Sequence, residues 1–381
     1  MNALQELNAI GQSVWYDNVR RGLIRGGELR QMIEAGEITG VTSNPTIFER
    51  AIAGSTDYDD AIRQMADRKG DPSDLFEALA VEDIRQVADL LRPVYDRTEG
   101  RDGYVSIEVL PKLAHDAERT VVEARRLNRL IGRRNVMIKI PGTPAGIRAF
   151  EEATVAGINV NVTLLFSLDV YEQVARAYIR GLERRDQGGM AVNGIASVAS
   201  FFVSRVDSAI DPLLTARGQA GDGGATALLG RAAIANARVV YARFKEIFAG
   251  SPFRMLAMKG ALPQRPLWAS TGTKNQAYSD VLYVDELVAP DTVNTMPPAT
   301  IDACRDHGSA RVTIPDRADD AQAVLEAVAA RGVDLVQVTD RLLDEGLAAF
   351  DTSYDALLSA VAGKRAALAD GGSRQMAETR S

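Results

Sequence analysis

At 381 residues, with 46% apolar and 25% charged side chains, the chain has a soluble globular composition and the length of one large domain or two ordinary ones. Its net charge of −7 comes without a basic block, which argues against nucleic-acid binding, and no apolar run approaches the roughly 18 residues of a membrane span. Cys304 is the single cysteine, so no intrachain disulfide is expected, and the start Met1-Asn-Ala-Leu-Gln-Glu-Leu7 lacks a secretory pattern; a reducing cytoplasm is the expected home.

The opening residues have the spacing of a short amphipathic helix, and Ser13–Val19 reads as a first strand. Gly22–Ile38 is helical in pattern and Gly40–Asn44 is a second strand, with Thr46-Ile-Phe-Glu49 fitting a capping box. Residues 57–103 form the longest insertion between strands, two or three helices punctuated by Gly70-Asp-Pro72 and Arg92-Pro93. Tyr104–Val109 is a third strand. Val136–Ile140 is a fourth, followed by Thr143 as a helix cap and Pro144 at the first helical position. Gly157–Leu165, Gly194–Val203, Pro266–Thr271 and Leu282–Val288 complete a set of eight, with helical spacing after the fifth and sixth and three or more helices after the eighth. The polar stretch 371–381 reads as a flexible tail.

Eight strands alternating with helices, with no linker or repeat, predict a single (β/α)8 barrel over residues 1–370. The alternative is an open doubly wound sheet, but no Gly-x-Gly-x-x-Gly follows the first strand.

Strand alternation then sorts the polar residues. Val105, Ile107 and Val109 share an apolar face, which leaves Ser106 and Glu108 opposite. Met137 and Lys139 oppose Val136, Ile138 and Ile140, while Asn159, Asn161 and Thr163 oppose Ile158, Val160, Val162 and Leu164. Trp15 and Asp17, Thr42 and Asn44, Ser200 and Phe202, and Trp268 and Ser270 fall on the equivalent faces. In a barrel the outer face packs on helices, so this polar set points inward, toward the carboxyl ends where barrel active sites form. Only His115 and His307 occur, neither with metal-ligand spacing, so a three-histidine metal centre is excluded and both are read as ordinary residues. A strand lysine among carboxylates is either an ion-pair partner, here of Glu108, or an imine-forming nucleophile. Glu108 and Asp17 suit the acid–base steps of iminium chemistry, and Asn44 and Asn161 suit sugar hydroxyls. Arg205 after the sixth strand, with Ser270-Thr-Gly-Thr-Lys-Asn275 after the seventh, suits a phosphate.

The motifs Gly40-Val-Thr-Ser-Asn-Pro-Thr-Ile-Phe48, Val105-Ser-Ile-Glu108, Ile138-Lys-Ile-Pro-Gly-Thr143, Gly157-Ile-Asn-Val-Asn-Val-Thr-Leu-Leu-Phe-Ser167, Ser200-Phe-Phe-Val-Ser-Arg205 and Trp268-Ala-Ser-Thr-Gly-Thr-Lys-Asn275 resemble the transaldolases, in their longer bacterial branch. The resemblance spans about Trp15 to Pro298. It implies a class I aldol mechanism needing neither cofactor nor metal, with Lys139 as Schiff-base lysine, Asp17 as acid–base on the C4 hydroxyl, and Glu108 with Thr163 holding a catalytic water. Asn44 and Asn161 would bind the dihydroxyacetone unit, Ser200 would be another substrate contact, and Arg205, Ser270 and Lys274 would meet the phosphate. Lys274 departs from the arginine common at about that place, replacing a bidentate fork by a point charge. The implied partners are small-molecule sugar phosphates, with the protein a monomer or homodimer. The competing readings are a fructose 6-phosphate aldolase and a sugar-phosphate-binding barrel without chemistry. The shorter aldolase branch typically carries glutamine and tyrosine where this chain has Glu108 and Phe202.

Overall fold

The computed structural model describes residues 1–65, 71–314 and 318–378, with side chains as far as residue 369. Eight parallel strands close into a barrel in sequence order: β1 (Gln12–Tyr16), β2 (Gly40–Val41), β3 (Val105–Glu108), β4 (Val136–Pro141), β5 (Val160–Leu165), β6 (Ser197–Phe202), β7 (Arg265–Ala269) and β8 (Thr292–Met296). The expected (β/α)8 architecture is therefore the observed one. Outward-facing Val105, Ile107, Ile138, Ile140, Val160 and Val162 are buried beneath the helical layer, which is why these strands read as apolar on one face.

Three expectations are corrected. The eighth strand is Thr292–Met296, not Leu282–Val288; Leu282–Asp285 is a helical turn. The true strand is interrupted by Thr and Asn and carries little apolar signal, yet it pairs with β1 at every position from Gln12↔Thr292 to Tyr16↔Met296. Tertiary pairing outweighs the β-prone composition of the earlier run. Second, Pro93 does not end a helix: Pro72–Arg97 runs through it as one helix of 26 residues. Its amino end is set by Asp71, whose carboxylate accepts from the Ser73 and Asp74 amides, while Gly70 lies outside the described residues. Third, Trp268 faces outward. Its register partner Asn294 also pairs with Val14, on the opposite face from Trp15, and its indole packs against Phe201. The expected tail falls partly on the helix Leu335–Glu378, and residues 379–381 lie outside the described residues. Among the described residues no helix is long and apolar enough to cross a membrane.

The amino end of the barrel is plugged by a buried polar cluster. Arg265 donates to the Ser13 hydroxyl (2.6 Å) and the Arg101 carbonyl (2.9 Å), and the Trp15 indole donates to Asp102 (2.8 Å). Gly40 beside Trp15 is required: a Cβ there would lie 2.5 Å from the indole ring.

A second buried network joins the barrel to the helix Pro72–Arg97. Arg21 is wholly buried and donates to Asp83 (2.8 Å) and Glu82 (2.9 Å), while Tyr58 donates to the other Asp83 oxygen (2.9 Å). Removing one partner of a buried pair strands the other charge. Arg21→Ala is therefore expected to cost about 3–5 kcal/mol in urea denaturation, and adding Asp83→Asn to recover part of that loss. A cost below about 1 kcal/mol would show that water reaches Asp83 freely.

Candidate active site

The site is assembled from strand ends. Register places Glu108 of β3 beside Lys139 of β4, and Lys139 beside Asn161 of β5, so the three side chains form one row on the inner face. Neighbouring strands lie about 4.8 Å apart, which fixes their spacing without loops. Thr163 stands one step higher on β5, opposite Pro141. Asp17 immediately follows β1, its amide still bonded to the Met296 carbonyl (2.8 Å).

Lys139 is 5% exposed and donates to the Ser43 carbonyl (3.2 Å). Both Glu108 oxygens are buried without a hydrogen-bond partner, as is the Thr163 hydroxyl. A direct Lys139–Glu108 ion pair, the alternative left open by the sequence, is thus not formed. Burial pushes the Glu108 carboxyl up to about 7; Lys139 opposes the rise and Asp17 adds to it. Burial likewise raises Asp17, against the pull of Lys139 and of a hydrogen bond from Thr42 (2.6 Å). Two carboxyl groups around one lysine are therefore both biased toward the protonated form.

At the end of this row Asn161 is held at both ends of its amide. It donates to Ser106 Oγ (3.1 Å) and accepts from Ser200 Oγ (2.6 Å), which fixes its orientation. Asn44 is not in a strand. It caps the helix Pro45–Ala53, its Oδ1 accepting from the Ile47 amide (3.0 Å), so its NH2 remains directed to other partners. Thr46, expected to cap, donates instead to Ser353 (2.8 Å).

Asp17, Asn44, Lys139, Thr163, Ser200, Arg205, Ser270 and Lys274 all line one cleft of about 490 Å3 at the carboxyl end of the barrel. Asn161 lies buried beneath it, and Glu108 borders an adjoining cavity that shares Asn44. Arg205 opens the helix Ser204–Gln219, its guanidinium 5.2 Å from the centre of the Phe202 ring, and burial lowers its pKa. Ser270 has a left-handed backbone (φ 56°), which ends the β7 alternation and brings its hydroxyl to 3.0 Å from Ser204. Lys274 is exposed at the rim.

Four contributors escaped sequence reasoning. Thr295 bonds Thr42 (2.6 Å) and lines the cleft, on a strand whose Thr and Asn residues carry little apolar signal. Arg20 and Arg50 add cations to the wall. Phe350 arrives from the helix Leu335–Glu378, more than two hundred residues after Lys139, and no local signal announces it.

A closed parallel barrel with a lysine between carboxylates, opening on a cation-rimmed cleft, defines an enzyme architecture suited to imine chemistry on an anionic substrate. A family model described as Transaldolase/Fructose-6-phosphate aldolase matches residues 14–361. The chain is 49% identical over 360 residues to Transaldolase 1 of Streptomyces avermitilis, covering 94% of each protein. It is 46% identical over 361 residues to a transaldolase of Thiobacillus denitrificans, covering 95% of this chain and 100% of that one, and 47% identical over 362 residues to one of Frankia alni, covering 95% and 97%. The chain belongs to the transaldolase/fructose-6-phosphate aldolase family.

Proposed function

We propose that the protein is a transaldolase that transfers a dihydroxyacetone unit between sugar phosphates. It would take that unit from sedoheptulose 7-phosphate or fructose 6-phosphate and give it to glyceraldehyde 3-phosphate or erythrose 4-phosphate, a step of the non-oxidative pentose phosphate pathway. The observation that carries this reading is the row Glu108–Lys139–Asn161, whose central Lys139 opens into a cleft that Arg205 and Lys274 also line.

In this reading the neutral Lys139 amine adds to the ketose C2 carbonyl, and loss of water leaves an iminium. Asp17 takes the proton of the C4 hydroxyl as the C3–C4 bond breaks; the aldose phosphate departs and the electron pair is held in the enamine. The acceptor aldehyde adds to the enamine with Asp17 returning the proton, and water hydrolyses the new iminium. Glu108 and Thr163, whose side-chain oxygens are not bonded to other protein groups, are suited to hold that water and pass its proton. Asn44, Asn161 and Ser200 orient the three-carbon unit, and Arg205, Ser270 and Lys274 receive the phosphate. A cytoplasmic location fits the free, buried Cys304, and a monomer or homodimer is the state to test by sedimentation.

Product analysis with fructose 6-phosphate separates transfer from simple cleavage. Turnover is expected to require an acceptor aldehyde, with free dihydroxyacetone below about one per cent of transferred product, since a trapped enamine is protected from water inside the cleft. Robust acceptor-independent release of dihydroxyacetone would make the enzyme an aldolase instead.

A further inference from the structure

On the flank of the barrel, a second concavity of about 840 Å3 opens between the helices Arg21–Arg25 and Glu28–Glu34 on one side and Pro72–Arg97 on the other. It shares no lining residue with the catalytic cleft. Its floor is apolar: Ile33 and Val94 are buried there, and Leu90 is half-buried. Its rim carries Arg25, Arg30 and Arg97, all exposed. None of these three guanidiniums forms an ion pair among the described residues, whereas Arg21, Arg126, Arg184, Arg243 and Arg305 are each tied to two carboxylates. Of the two carboxylates on the wall, Asp89 is taken by both arms of Arg133 (2.6 and 3.0 Å), which leaves Glu34 against three arginines. Pro93 lacks an amide hydrogen, so the Asp89 carbonyl one turn earlier is released from the helix ladder as an acceptor on the same wall.

An apolar floor, a rim of three arginines and a backbone acceptor, on a chain whose net charge is −7, match one class of ligand. We propose that this groove binds a phosphorylated small molecule with a flat or apolar body, of the nucleotide class. The phosphates lie against Arg25, Arg30 and Arg97, where planar guanidiniums bond phosphate oxygens in pairs, and the body covers Ile33, Leu90 and Val94.

The groove is coupled to the catalytic cleft through one short helix. Arg20 lines the cleft and Arg25 lines the groove, at opposite ends of Arg21–Arg25, and Asp17 lies just before it. Arg21 pins this helix to the helix Pro72–Arg97 through Asp83. A ligand that draws Arg25 and Arg97 together acts on the same two helices and so shifts the segment that carries Asp17. The ligand of the groove is accordingly expected to change kcat or KM of the transfer reaction without competing with the sugar phosphate, and kcat and KM unchanged at saturating ATP would overturn this coupling.

The test is calorimetric titration of the full-length protein with ATP as the probe. One saturable site per chain is expected, retained when fructose 6-phosphate is present at saturation. Arg30→Ser/Arg97→Ser should weaken ATP at least tenfold while leaving the ligand-free transfer rate unchanged, and Arg25→Ser alone should weaken it several-fold. Three results would each overturn the proposal: no binding at millimolar ATP, ATP displaced by fructose 6-phosphate, or ATP affinity indifferent to the arginine variants. So would a change in the sedimentation coefficient of the ligand-free double variant, which would make the groove a contact between copies of the chain. Binding is read without turnover, so the outcome stands apart from the transferase reading.

Discussion

Lys139→Met is expected to lower the transfer rate by on the order of 10^4-fold or more and to abolish any borohydride-stable adduct with fructose 6-phosphate. Methionine keeps the length and most of the volume of the lysine stem, so the inner face of β4 stays packed and the loss reports on the amine. The amine suits nucleophilic use because its hydrogen bond runs to a neutral acceptor, the Ser43 carbonyl, and because Glu108 is not bonded to it. An amine locked between two carboxylates would have to give up both contacts before attacking carbon. In the wild-type protein the reduced adduct should map to the peptide containing Lys139. An adduct on another lysine, or transfer surviving in Lys139→Met, would remove the mechanism. The variant carries a second signature: Lys139 holds the Glu108 carboxyl down, so its removal should send that carboxyl above its present value of about 7.

This row was legible in the sequence because two local rules fix it. Alternation sets the face of Glu108, Lys139 and Asn161, and parallel pairing of consecutive strands sets them side by side. The barrel was legible for a related reason: most strands bear one apolar face against helices. Where the inner and outer faces are both partly polar, as in Thr292–Met296, the signal disappears and Thr295 disappears with it. Backbone departures hid other features. Ser270, in a left-handed conformation, and Leu164, at φ 60° where β5 shifts register against β6, both break the simple two-residue period. Asn44 reads as strand in the sequence although β2 ends at Val41, because a helix cap and a strand end use the same extended backbone. Phe350 and the flanking groove depend on helices meeting across long sequence separations, which no local pattern encodes.

Glu108→Gln should separate catalysis from stability. In the proposed mechanism the carboxyl moves protons around the imine, so its loss is expected to lower kcat by about 10^2-fold or more with KM little changed. The wild-type pH profile should show an ionisation near 7 that the variant lacks. Stability should respond in the opposite sense. A carboxyl near 4.5 in the unfolded chain and about 7 when folded binds more protons in the native state between those values, so folding weakens as pH rises through that window. The full shift corresponds to about 3 kcal/mol, absent below pH about 4.5 and complete above pH about 7. Glu108→Gln removes this dependence, and its stability relative to wild type should therefore improve by roughly that amount between pH 4.5 and 8 in urea denaturation. Asp207, also raised to about 7 by burial, titrates in the same direction in both proteins, so the difference between them isolates Glu108. Parallel stability curves for the two proteins would mean that water already solvates the carboxylate at neutral pH. The catalytic carboxyl would then be an ordinary solvated one, and the proton transfers assigned to it would lose their physical basis.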